Sequence, residues 1–212
     1  MLKITVCGVK GGIMKTTLAI HLTAYFQQLN KQALLIDADP RNRSAVQWAQ
    51  SQQALPFPVV DDRLALQFFE RNKLDVVVFD TAGSADPNDI EVLSKGCDLL
   101  VLPSSPDAPS MASLIKTLKL LQSFPKAVYK VVLTRTPPPR LTGEIAPEEA
   151  DARSVLASLK VPVFKQSIPE LKAFRHAASG GTLVSALNVS GAARAWECCV
   201  ALGREVQREV KA

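Results

Sequence analysis

The sequence predicts a doubly wound, mostly parallel α/β sheet flanked by helices, and three features predict it. Short β-branched or apolar runs alternate with helical periodicity along the whole chain. Several of these runs are continuously apolar, which suits strands covered on both faces. The first run leads directly into a glycine-rich loop that opens a helix, an arrangement that puts ligands at the carboxyl ends of parallel strands.

Strands are predicted at Leu2–Cys7, Ala33–Asp37, Asp75–Asp80, Asp98–Pro103, Tyr129–Thr134 and Val161–Lys165. Helices are predicted at Lys15–Leu29, Arg43–Gln52, Asp61–Asn72, Pro87–Lys95, Pro109–Ser123, Pro147–Leu159, Pro169–Ala178 and Ser190–Val210. Proline at several of these starts fits its tolerance in the first helical turn. With 212 residues, 47% of them hydrophobic, the chain can bury one sizeable core, and a single domain over residues 1–212 is expected.

The net charge of +5 is uneven: residues 1–106 carry −1 and residues 107–212 carry +6, so any attraction to a polyanion belongs to the second half. Cys7, Cys97, Cys198 and Cys199 lack Cys-x-x-Cys spacing and the chain has only two histidines, which points to neither a zinc site nor a disulfide framework. The N-terminal apolar stretch is too short for a signal peptide, and no run approaches the roughly 18 apolar residues that would suggest a membrane span. A soluble, cytoplasmic protein is expected.

The loop reads Gly8-Val9-Lys10-Gly11-Gly12-Ile13-Met14-Lys15-Thr16-Thr17. Glycines let the backbone curl so that successive N–H groups point at phosphate oxygens, and the helix that follows adds unpaired donors and its positive dipole end. Gly11, Gly12, Ile13, Met14, Lys15, Thr16 and Thr17 are therefore the candidate cradle, with Lys15 serving the terminal phosphates and the Thr16 hydroxyl serving Mg²⁺. Met14 is anomalous: if its backbone needs φ > 0, a side chain there costs about 1–2 kcal/mol. Two acidic elements end strands on the same rim, Asp37-Ala38-Asp39-Pro40 and Asp80-Thr81-Ala82-Gly83. A carboxylate after an apolar strand suits a magnesium-holding element, and Asp80 is the candidate for it.

Lys10, placed before the paired glycines, gives the pattern Lys-Gly-Gly-x-x-Lys-Thr, and the chain resembles the ParA/MinD family of P-loop ATPases of the deviant Walker-A type. Short partition ATPases without an N-terminal DNA-binding domain are most similar. The family usually has glycine where Met14 stands, and glutamine where Arg41 follows Pro40. The resemblance implies ATP and Mg²⁺ as cofactors, with Lys10 reaching across a homodimer to the partner's nucleotide. It implies that Asp39 orients the attacking water and that Asp37 lies near the metal. It further implies an ATP-sandwich dimer bound to DNA without sequence preference, a weak ATPase stimulated by a ParB-like or other cargo-bound adaptor, and a cytoplasmic, nucleoid-associated protein.

The segment Lys116–Arg140 carries six basic residues and no acid, and further basic residues follow toward the C-terminus. Phosphate neutralisation needs clustered Lys and Arg rather than a sequence code. Lys172 and Arg175, with Arg194 and Arg204, are the candidate DNA contacts. Two alternatives remain: a nucleotide-impaired scaffold, because of Met14, and a membrane-associated MinD-like protein using its last helix. In that helix Trp196, Val200, Val206 and Val210 form an apolar stripe, but mixed charge on the other face favours core packing over anchoring.

Overall fold

A computed structural model describes residues 1–210 except 9, 52–53, 84–86, 125–126 and 139–143. The strands are β1 (Leu2–Val6), β2 (Ala33–Ala38), β3 (Val59–Asp61), β4 (Val76–Thr81), β5 (Leu99–Ser104), β6 (Tyr129–Thr136) and β7 (Ile168–Pro169), in the order β3-β2-β4-β1-β5-β6-β7. All pairings are parallel. The helices are α1 (Lys15–Gln28), α2 (Ser44–Ala49), α3 (Asp62–Arg71), α4 (Pro87–Gly96), α5 (Ala108–Leu121), α6 (Pro147–Ser158), α7 (Lys172–Gly180) and α8 (Ala192–Glu209), with a 3₁₀ turn at Val184–Ala186.

Alternating strand residues face opposite layers. Ile4, Val6, Val78 and Val101 pack under α1, α7 and α8, while Leu100, Leu102, Val131 and Leu133 pack under α4, α5 and α6. Leu34, Ile36 and Val77 meet α3 on that second side. The α8 stripe lies in the core: Val206 is buried, and Trp196, Val200 and Val210 pack against the same cluster. Among the described residues, no helix is long and apolar enough to cross a membrane.

Two predicted elements need correction. Val161–Lys165 makes only one bridge, Val131 to Val163, because much of its remaining backbone is engaged elsewhere, the Val161 amide with the Leu156 carbonyl and residues 164 and 165 with side chains. Arg153 donates to the Phe164 and Lys165 carbonyls, and Glu205 accepts from the Lys165 and Gln166 amides. The seventh strand is instead Ile168–Pro169, so Pro169 ends a strand at the sheet edge and α7 begins at Lys172. The short strand β3 was not anticipated; Asp61 closes it and then caps α3 by accepting from the Leu64 amide at 3.1 Å. Strand β6 runs to Thr136, and residues 139–143 lie outside the described set.

His21, in α1, is 1% exposed. It accepts from the Val184 amide through Nε2 at 3.1 Å, and its Nδ1 lies 2.7 Å from the Thr17 carbonyl, an arrangement satisfied by the neutral ring carrying its proton on Nδ1. Trp48, Phe174 and Trp196 surround it. Burial pushes its pKa down from 6.5 to about 4. An unfolded chain takes up this proton below its ordinary pKa while the folded chain refuses it, so the associated stability is full above pH 6.5 and drains away as pH falls toward 4. Urea midpoints measured across that window are expected to fall for the parent chain and to fall less for His21→Gln; equal slopes would refute the assignment.

Candidate functional site

Parallel register aligns the acidic elements with the loop. Asp61, Asp37, Asp80, Val6 and Val101 form one transverse row across β3, β2, β4, β1 and β5. The segments leaving β1, β2 and β4 therefore emerge together, at the carboxyl edge where the central strand has a neighbour on each side.

The loop takes the conformation its sequence requires. Gly12 has φ +76°, and Met14, the N-cap of α1, has φ +67° and ψ +25°, the left-handed region the sequence flagged as costly. Its thioether packs against the main core cluster. No side chain caps α1 and no acid stands in its first turn, so its amide donors remain open to an anion. Gly11, Gly12, Met14, Lys15, Thr16, Thr17 and Asp39 line one cavity of about 240 Å³ with Asn42, Ser44, Thr81 and Gly83. A Cβ on Gly83 would come within 3.2 Å of Lys15 Nζ, so glycine at that position leaves the lysine its room. The Ile13 side chain is buried in the protein.

Lys15 is 8% exposed and donates to the Lys10 carbonyl at 2.9 Å. Burial lowers its pKa, against the attraction of Asp80, Cys7 and Asp39. Asp80 is 1% exposed, and its carboxyl is pushed up to about 7 by burial, with the Thr16 hydroxyl and Lys15 opposing and Asp37 and Asp39 reinforcing. Its Oδ1 has no hydrogen-bond partner. An orphaned, hard anionic oxygen next to a threonine hydroxyl fits Mg²⁺, which takes one or two protein oxygens and completes its shell from phosphates and water. Among the described residues no group of three His, Cys, Asp or Glu could by itself hold a metal.

The other two carboxylates are committed to the backbone. Asp37 accepts from the Asp39 amide at 3.1 Å and the Val46 amide at 3.0 Å, which ties the end of β2 to α2. Asp39 accepts from the Arg41 and Asn42 amides through Oδ1, at 3.1 and 3.0 Å, and from Asn42 Nδ2 through Oδ2 at 2.8 Å. Burial acts to raise the Asp39 pKa, but these donors carry it below the ordinary value, so the group is ionised at neutral pH. Asp39 stands at the cavity wall, whereas Asp37 is behind it.

Lys10 is tied down within its own chain. Its Nζ lies 3.1 Å from Asp107 Oδ1 and 2.7 Å from Ser110 Oγ, at the start of α5. Asp107 is also the α5 N-cap, accepting from the Ser110 amide and hydroxyl. Burial acts to raise its pKa, but Ser110, Ser105 and Lys10 hold it well below the carboxylate range. Asp107, Ser110, Asn42 and Gly83 were not anticipated from sequence. Asp107-Ala-Pro-Ser is legible as a helix cap, but nothing in it signals the lysine.

A second cavity of about 250 Å³ adjoins the first through Gly12, Met14 and Thr17, and its far wall includes Arg135, Glu170, Phe174 and Arg175. Arg175, a candidate DNA contact, thus borders this cavity and lies 3.8 Å from Glu170. Lys172, Arg194 and Arg204 are exposed on α7 and α8, away from both cavities. The basic run 116–140 is broken up in the fold. Lys130 pairs with Glu209, Arg135 turns to the loop and Glu170, and residues 126 and 140 lie outside the described set.

Comparison with known proteins gives a consistent family. Residues 4–184 match the CobQ/CobB/MinD/ParA nucleotide-binding domain. Over 176 residues the chain is 32% identical to the maintenance of carboxysome distribution protein A of Gloeobacter kilaueensis, covering 81% of this chain and 78% of that protein. The ATP complex of a Cyanothece McdA variant superposes with a TM-score of 0.71 at 19% identity, covering 96% of each chain. MinD in the MinC:MinD complex of Aquifex aeolicus gives 0.74 at 16% identity, covering 98% of this chain and 96% of that one. At such identities the two structures speak to the fold.

Proposed function

The chain belongs to the CobQ/CobB/MinD/ParA nucleotide-binding family, and from that membership we propose that it is a ParA-like ATPase: it binds ATP between two copies of itself, holds non-specific DNA in that state, and positions a large cargo. The observation that carries this reading is the unpartnered Asp80 oxygen buried beside Thr16 and Lys15. Burying an anionic oxygen is costly unless a cation or donor meets it, and a magnesium–triphosphate complex brings one.

In this reading the loop amides and the Lys15 ammonium hold the β and γ phosphates. Thr16 and Asp80 hold Mg²⁺, which neutralises charge on the phosphate oxygens when bound. Asp39, ionised and fixed by the donors of residues 41 and 42, accepts a hydrogen bond from the attacking water. Lys10 leaves Asp107 and Ser110 to reach the partner's nucleotide, exchanging one carboxylate for a polyphosphate. The carboxysome-distribution relative favours a protein-shelled cargo over a plasmid, recognised through an adaptor that stimulates hydrolysis.

Lys172, Arg175, Arg194 and Arg204 support the DNA step. They are exposed on two helices that pack together, and two of α8's acids are engaged elsewhere, with Glu205 capping residues 165 and 166 and Glu209 paired to Lys130, while Glu197 is exposed. Random-sequence duplex is expected to be retained with ATP at low salt. Removing two phosphate contacts in Lys172→Ala/Arg204→Ala should lower the log–log salt slope by about 2. Folded protein that retains no duplex with ATP would refute this step.

A nucleotide-impaired scaffold is the second reading, and the left-handed Met14 favours it. The strain of about 1–2 kcal/mol is present in the folded chain already, so it weighs on folding rather than on binding. The thioether rests on the core. Met14→Gly is therefore expected to change ATP affinity by less than about threefold, roughly 0.6 kcal/mol. A gain of tenfold or more by calorimetry would favour the scaffold.

A further inference from the structure

The end of β6 grips two successive carbonyls of the phosphate loop. Arg135 Nη1 donates to the Gly12 carbonyl at 3.2 Å, and the buried Thr134 hydroxyl donates to the Ile13 carbonyl at 3.2 Å. In a trans peptide the C=O and the following N–H point in opposite directions. Holding these two carbonyls toward β6 therefore turns the amides of Ile13 and Met14 away from it, as a nest of anion donors requires.

Arg135 adopts an unfavourable backbone to do this. Its φ is +53° within a strand, at a register shift between Thr134 and Thr136. Non-glycine residues persist in this region where their surroundings over-determine them, and such strain gathers at functional sites. Glu170 Oε1 supplies the other anchor, 3.1 Å from Arg135 Nη2, and its own amide bonds back to Thr136. Met14, which is also left-handed, lines the same cavity as Arg135 and Glu170.

We propose that Arg135 is a positioning residue for phosphate recognition: its guanidinium, steadied by Glu170, works with Thr134 as a clamp that aims the Ile13 and Met14 amides at anionic oxygens and holds Met14 left-handed where glycine is absent. The inference rests on the reading of this loop as an ATP site. It explains how a loop lacking glycine at position 14 keeps the required curl: the neighbouring strand supplies the restraint that glycine's freedom would otherwise make unnecessary. The guanidinium suits this task because its planar fork donates to the loop and to Glu170 at once.

Calorimetry with magnesium pyrophosphate, magnesium ADP and adenosine tests the clamp in the parent chain, Arg135→Ala, Arg135→Lys and Glu170→Gln, with thermal midpoints as folding controls. Arg135→Ala is expected to weaken pyrophosphate and ADP alike, by about tenfold, and to leave adenosine unchanged. Arg135→Lys should recover part of the loss, and Glu170→Gln, which spares the guanidinium, should cost about threefold. The Arg135→Ala loss should shrink in a Met14→Gly background, where the left-handed turn needs no restraint. Hydrogen exchange at the Ile13 and Met14 amides should accelerate in Arg135→Ala, a readout independent of any ligand. A loss confined to adenosine and ADP would make Arg135 a base or ribose contact and overturn the clamp, as would unchanged affinities with unchanged exchange. A parent chain that binds none of the three ligands overturns the ATP reading itself, while faster exchange in its Arg135→Ala variant would still uphold the clamp's hold on the loop.

Discussion

Replacing Asp39 with alanine is expected to lower ATP turnover about thousandfold while leaving ATP affinity within a few fold, the size and signature of losing a group that acts on the attacking water. The carboxylate is at the cavity wall, is kept ionised by three donors, and has one lone-pair position on Oδ2 beyond the bond from Asn42. The fold should tolerate the change. Arg41 and Asn42 are exposed, so water can take over the amides that Asp39 releases, at a cost of about 1 kcal/mol. Single-turnover hydrolysis beside equilibrium ATP binding separates the outcomes, and retention of duplex DNA should lengthen because the ATP state is no longer discharged. Turnover that survives with binding intact would make Asp39 a turn-closing residue and nothing more. Asn42→Ala is the graded control: removing one donor to Oδ2 should cost part of the turnover, because the carboxylate stays but loses an orienting bond.

The parts of this chain legible in sequence are those whose chemistry is local. A glycine-rich stretch between an apolar strand and a helix, and carboxylates directly after apolar strands, fix their own geometry. The structure accordingly brings Gly11 to Thr17 and Asp39 to one cavity, with Asp80 beneath them. Even the cost of Met14 could be read from position, since it depends only on φ at that residue. What escaped the sequence depends on partners far along the chain. Lys10 meets Asp107 and Ser110 roughly a hundred residues away. Gly12 and Ile13 are gripped by residues 135 and 134. Val161–Lys165 has every local mark of a strand, yet side chains from α6 and α8 claim its backbone. Periodicity does not report such competition, and the short strands β3 and β7 give periodicity too few residues to act on. The charge excess of the second half was likewise legible only as a sum, because pairing by Glu170 with Arg135 and by Glu209 with Lys130 depends on the fold.

Lys15→Met is expected to weaken ATP binding at least about a hundredfold without loosening the fold. Lys15 is 8% exposed and its ammonium works against its own burial, with Asp80 and Asp39 nearby as partial compensation. Bringing in a triphosphate adds several negative charges within reach of that one cation, in a setting where water screens poorly. A charge-assisted bond to phosphate is then worth about 3 kcal/mol, which is the hundredfold loss. Folding faces the opposite balance. An unbranched apolar side chain of similar volume fills the same channel and escapes the desolvation that lowers the lysine's pKa, so the thermal midpoint should hold or rise. Asp80 would lose a stabilising cation, and its proton occupancy should increase, since Lys15 is one of the groups opposing its upward shift. Metal affinity should therefore fall together with nucleotide affinity, a joint loss with a stable fold. Calorimetry with magnesium ATP alongside thermal melts reads both quantities. A variant that melts as the parent does and still binds ATP within threefold would remove Lys15 from the phosphate site and leave the loop's amides as its only anion donors.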